Sequence, residues 1–110
     1  MRMTARDLLE AVRYLLSDKQ HWCQGTLAKT ESGASVPPVS DKARSWCLVG
    51  ALHKKSSDLG TDGREYAKAV KALEREMLQL VGPYASLMGF NDNNTHENVL
   101  RLLDRAIKKL

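Results

Sequence analysis

Trp46-Cys47-Leu48-Val49-Gly50-Ala51-Leu52 is the stretch on which the fold turns. It carries no charge, and at helical spacing it is apolar all round. A helix of that kind is enclosed by other elements rather than laid on a surface. Read outward from it, Ser40 is the expected N-cap, and the helix runs to about Lys55. Gly50 costs about 1 kcal/mol against alanine in a helix interior. Close approach of a neighbouring element accounts for its presence. Ser56 to Gly60 reads as the exit loop.

The flanking segments supply the elements that enclose this helix. Thr4 with Asp7 has the spacing of a capping box, and Ala5, Leu8, Leu9, Val12, Leu15 and Leu16 make one apolar stripe after it. Asp62 with Glu65 opens a second amphipathic helix, whose seam is Tyr66, Val70, Leu73, Met77 and Leu80. It stops before Gly82-Pro83. Tyr84 to Met88 reads as one further turn, and Gly89 to Asn93 as a loop. Asn94 with Glu97, or Thr95 itself, caps a last helix that buries Val99, Leu100, Leu102, Leu103, Ala106, Ile107 and Leu110. His21 to Pro38 is different. Glu31-Ser32-Gly33 marks a turn, and Pro37-Pro38 forbids a helix. The expectation is a mostly α single domain over residues 1–110. About four main helices pack round a buried central one, with a minor extended segment or small hairpin at Trp22–Thr30.

At 110 residues the chain has room for one domain. Hydrophobic residues at 43% and charged residues at 27% fit a soluble globular protein. The longest uncharged apolar run is the opening stretch, far short of the about 20 residues a membrane span needs. The N-terminus becomes charged at once, so no signal peptide is expected, and the reading is cytoplasmic with two reduced thiols. The net charge of +4 permits an anionic partner without requiring one.

Each of the two tryptophans precedes one of the two cysteines, as Trp22-Cys23 and Trp46-Cys47. Packing is one reading, since both residue types fill cores. The sharper one is a Cys23 thiolate activated by His96 and oriented by Asn91 or Asp92. No metal site is expected: His21 and Cys23 are near in sequence, and Cys47 and His53 share the central helix, but no ligand spacing is met. The glycines never form a phosphate-cradling motif, so no cofactor is expected.

The charged surface is organised. Arg64, Lys68, Lys71 and Arg75 fall within an arc of about 60° opposite the apolar seam of their helix. Arg101, Arg105 and Lys108, with Lys109 nearby, repeat the pattern on the last helix. Such ridges are either solvated faces or a docking surface for an acidic protein or a phosphate backbone. Against nucleic acid, aromatic residues do not interleave with the bases.

Trp22-Cys23-Gln24-Gly25, then Trp46-Cys47-Leu48-Val49-Gly50-Ala51-Leu52, then Phe90-Asn91-Asp92 followed by His96-Glu97-Asn98-Val99-Leu100 resemble an uncharacterised family of small bacterial and phage proteins, a domain of unknown function. The resemblance covers nearly the whole chain except the Asp62–Leu80 helix. Members often carry tryptophan where Phe90 stands. The resemblance implies a bacterial or phage cytosolic origin and no particular activity. It also implies that Trp22, Cys23, Gln24, Gly25, Trp46, Cys47, Asn91 and Asp92 cluster in space. The functional expectation is a non-enzymatic accessory or inhibitor that docks on a larger host complex. The alternatives are a cysteine enzyme and a nucleic-acid binder. The oligomeric state is open.

Overall fold

The computed structural model describes residues 2–83 and 86–110. Among them the chain forms α1 (Ala5–Leu16), β1 (Ala28–Lys29), β2 (Ser45–Trp46), α2 (Leu48–Leu59), α3 (Gly63–Val81), α4 (Leu87–Asp92) and α5 (His96–Lys109). A single 3-10 turn, Lys19–His21, follows α1. The protein is mostly α, with one small antiparallel sheet in which Ala28 faces Trp46 and Lys29 faces Ser45.

The three long amphipathic helices form where their caps and stripes lie. At α1 both bonds of the capping box are made: Asp7 N–H donates to Thr4 Oγ1, and Thr4 N–H donates to Asp7 Oδ2. Leu8, Leu9, Val12 and Leu16 are fully buried. Asp62 caps α3 by accepting from Glu65 N–H, but Glu65 does not return the bond. Its carboxylate accepts instead from Ala5 N–H at 2.9 Å and meets Arg2 at 2.6 Å. The capping acid thus ties the start of α3 to the start of α1. Its burial also rotates the inward stripe of α3 onto Ala69, Leu73 and Met77, leaving Tyr66, Val70 and Leu80 half-buried. Thr95 caps α5 by accepting from Asn98 N–H. Val99, Leu102, Leu103 and Ala106 are buried there, Leu100 and Ile107 are half-buried, and Leu110 is exposed.

The central segment departs from the sequence reading. Ser40 does not cap α2. It closes a turn after Pro37, and the chain reaches Trp46 as strand β2. The helix begins only at Leu48, capped by Cys47, whose sulfur accepts from Gly50 N–H at 3.3 Å. It then runs past Lys55 to Leu59, so most of the expected exit loop is helical. The physical reason is that Trp46 and Cys47 pair with the Trp22–Ala28 segment as backbone, a choice open to any short apolar run. α4 is a second departure: Gly89 to Asp92, expected in a loop, are helical under a Ser86 cap. Of the further turn expected at Tyr84–Met88, Tyr84 and Ala85 lie outside the described residues. The turn expected at Glu31–Gly33 is present, closed by Thr30 N–H donating to Ala34 O and Gly33 N–H donating to Thr30 O.

α2 packs against α1 and α4, and α3 packs against α1, α4 and α5. One continuous hydrophobic core joins all five helices and both strands. None of the helices is long and apolar enough to cross a membrane, among the described residues.

Candidate functional site

The two Trp-Cys segments converge on Asn91, which is fully buried at the end of α4. Its Oδ1 accepts from Trp22 Nε1–H at 2.7 Å and from Leu48 N–H at 3.0 Å. Its Nδ2 donates to the carbonyl of Cys23 and to Asp92 Oδ1, both at 3.1 Å. Two acceptor sites and two donors are all that a carboxamide has, so the group is saturated. Gln24 Nε2 reaches back to the carbonyls of Asn91, Asp92 and Asn94. Gly25 N–H donates to Asp92 Oδ1 at 3.0 Å, from a backbone with φ of +84° that favours glycine.

Backbone bonds complete the cluster. Cys23 N–H donates to Trp46 O, and Cys47 N–H donates to Leu27 O, both at 3.1 Å. Trp46 Nε1–H donates to Pro38 O at 2.8 Å. Gly50 lies against the same Leu27 carbonyl. Trp22, Cys23, Gln24, Gly25, Trp46, Cys47, Asn91 and Asp92 therefore form one hydrogen-bonded unit.

The groups weighed for cysteine chemistry are occupied otherwise. His96 donates from Nε2 to the carbonyl of Leu16 at 2.6 Å, and its ring packs on Trp22 with centroids 5.5 Å apart. No hydrogen bond joins an imidazole to the Cys23 sulfur among the described residues. Cys23 Sγ points to the carbonyl of Thr26 at 3.8 Å. Burial pushes the Cys23 thiol up from its ordinary value, against smaller downward pulls from the Ser45 hydroxyl and the Lys29 charge. Burial pushes Cys47 up as well, against the amides of Gly50 and Val49. Both cysteines are free. An activated thiolate needs an adjacent base or a lowered pKa, and Cys23 shows neither. His53 does not join Cys47 either: it packs edge-on against Tyr66.

The basic ridges meet. Glu76 of α3 accepts from Arg105 Nε–H of α5 at 3.1 Å, while Lys68, Lys71, Ala72 and Arg75 share a groove with Lys109 and Leu110. The two helices run antiparallel, and Lys68, Lys71, Arg75 and Lys109 line one depression of about 390 Å³, continued by a second of about 370 Å³ at Arg105, Lys108 and Lys109; Arg101 lines neither. The bases differ in what surrounds them. Lys68 pairs with Glu65 at 3.3 Å, Arg105 with the buried Glu76, and Arg101 with Glu97 at 3.8 Å. Lys71, Arg75, Lys108 and Lys109 have no carboxylate within 4 Å among the described residues. Neither does Arg64, which does not line the groove. Lys109 is the groove residue that the ridge pattern on α5 only approached. It enters because the last turn of α5 lies across α3, a fact of packing.

No curated protein and no solved structure matches the chain. The model of a family of unknown function, DUF6197, matches residues 1–109, and the chain belongs to that family.

Proposed function

We propose that this protein is a non-enzymatic, cytoplasmic interaction module, of the accessory or inhibitor kind that phages and mobile elements encode. It docks on an acidic face of a larger host complex through the groove between α3 and α5. The observation that carries this reading is the placement of four unpaired bases, Lys71, Arg75, Lys108 and Lys109, round one groove built from two helices. Like charges held together cost self-repulsion. In this groove the one buried carboxylate, Glu76, is committed to Arg105 and neutralises none of the other four. An acidic partner gains association rate and specificity from such a surface. The Trp-Cys cluster, by contrast, spends its polar groups internally and holds the fold.

The test is capture from bacterial lysate by wild type and by Lys71→Glu/Arg75→Glu, with and without nuclease. A discrete acidic protein held by wild type, surviving nuclease, and released by the double reversal or by high salt supports the reading. Equal capture by both proteins overturns it. So does loss on nuclease treatment, which assigns the groove to nucleic acid.

A further inference from the structure

We propose that the cavity beside Cys23, on the face of the small sheet away from the core, is a binding site for a small organic oxyanion held by Lys29 and Arg44. The strands explain how the lining forms. Ala28 turns inward and is fully buried, so its neighbour Lys29 faces outward, level with its cross-strand partner Ser45. The Lys19–His21 turn and Trp22 close a second side, and Arg44 stands at the rim. The cavity is an open depression of about 560 Å³, within the size range of small-molecule sites.

The chemistry of the lining favours an anion. Lys29 has no carboxylate within 4 Å among the described residues. Arg44 donates NH1 to the carbonyls of Asp41 and Ala43 at 2.8 and 2.9 Å. Those two bonds fix the plane of the guanidinium, and its Nε and second NH2 are unbonded among the described residues. A guanidinium already oriented by backbone loses less freedom when it binds an oxyanion. Glu31 is the only carboxylate in the lining, and it pairs with neither base. Lys29 is also near enough to Cys23 for its charge to act on the thiol. The volume exceeds what a bare ion fills. Trp22 and His21 line the same cavity, with Thr30 and Gly33, and leave room for an organic body. His21 Nδ1–H is committed to the carbonyl of Leu15 at 3.1 Å, which leaves Nε2 available to a ligand hydroxyl.

The experiment is a titration of the isotopically labelled full chain, followed by the amide resonances of Trp22, Lys29, Gly33 and Ser45. The probes are inorganic phosphate, a nucleoside monophosphate and succinate. Saturable shifts confined to those resonances with any of the three support the site, and the strongest binder tells phosphate from carboxylate. Lys29→Gln, which removes no internal hydrogen bond, weakens that binding about tenfold. Arg44→Gln does the same where its spectrum shows a folded chain. Bound probe also slows alkylation of Cys23, while Cys47 serves as the unreactive internal control. Three silent titrations overturn the proposal. So do shifts that fall on Lys71, Arg75 and Lys109 instead, or binding unchanged in Lys29→Gln. Neither Lys29 nor Arg44 lines the groove between α3 and α5, so the two readings fail separately.

Discussion

Gly50 in α2 and Leu27 in the loop before β1 are so closely apposed that a Cβ built on Gly50 overlaps the Leu27 carbonyl oxygen. It would lie 2.8 Å from the carbonyl carbon and 3.3 Å from the Cα. That oxygen also accepts from Cys47 N–H, the bond that places the start of α2. It has no room to move without disturbing the helix entry. Gly50→Ala gains about 1 kcal/mol of helix propensity and is still expected to destabilise the protein by about 1–3 kcal/mol net. Urea denaturation measures this. A Gly50→Ala protein as stable as wild type would mean that the loop and α2 are not in contact.

Asn91 is expected to be the most sensitive polar residue. Asn91→Leu keeps the volume but strands Trp22 Nε1–H, Leu48 N–H and the Cys23 carbonyl. A buried group left without its partner costs about 1–3 kcal/mol, so the loss is expected to be about 3 kcal/mol or more. Chemical denaturation monitored by tryptophan fluorescence checks it. A loss of under about 1 kcal/mol would show that these groups find other partners.

The contrast between Thr4 and Cys47 shows what the sequence makes legible. Thr4 with Asp7, Asp62 and Thr95 are local signals, and each marks a real helix start because its partner lies three residues away. The start of α2 is set otherwise. Cysteine is outside the usual N-cap set, and the Leu48 amide is satisfied by Asn91, 43 residues on. Trp46 reads equally as helix or buried strand, and its strand pairing with Ala28 depends on a distant segment. The basic faces of α3 and α5 were legible as periodic ridges. Their merging into one groove was not, because it follows from antiparallel packing. The Trp22–Asn91 contact, across 69 residues, carries no local signal at all. It entered the sequence reading only through resemblance.

The tie between α3 and α1 is expected to fail in acid. The Ala5 amide that donates to Glu65, with the charges of Lys68 and Arg2, holds the Glu65 carboxyl below its ordinary value of 4.5. The Glu65 amide and Arg2 likewise lower Asp62 from 3.8. A carboxylate lowered in the folded state contributes its full stability above its unfolded pKa and loses it as pH falls through the folded one. Melting temperature is therefore expected to hold from neutral pH to about 5 and then to drop. Glu65→Gln is expected to melt lower at pH 7 and to show a shallower acid slope. Parallel slopes for both proteins would remove Glu65 as a source of the acid sensitivity.

Both thiols are expected to react slowly near neutral pH, because burial raises each above the ordinary 9.0. Cys23, 8% exposed, precedes Cys47, which is fully enclosed. The alkylation rate of native Cys23 rises as pH climbs, since only the thiolate attacks. Cys23→Ser is expected to keep partner binding. Stoichiometric labelling of native Cys23 at pH 7 as fast as free cysteine would point to an activated thiol and revive the enzymatic alternative.

The last prediction separates bases that serve the fold from bases that are free to serve a partner. Lys68 and Lys71 are neighbours on one ridge, yet only Lys68 touches a carboxylate, and that carboxylate is Glu65, which holds α1. Lys68→Glu puts a second negative charge beside it. The melting temperature is expected to fall by several degrees, the shift that about 1 kcal/mol gives in a domain of this size. Arg105→Glu is expected to be worse, because it leaves the buried Glu76 without its cation. Lys71→Glu and Arg75→Glu disturb no ion pair, and relieving like-charge crowding leaves melting unchanged or slightly raised. Those two are therefore the variants in which a binding defect reports binding. Thermal melts of the four single variants decide the matter. If Lys71→Glu melts as low as Lys68→Glu, then Lys71 is part of what holds α3 in place, and its effect on any partner carries no weight.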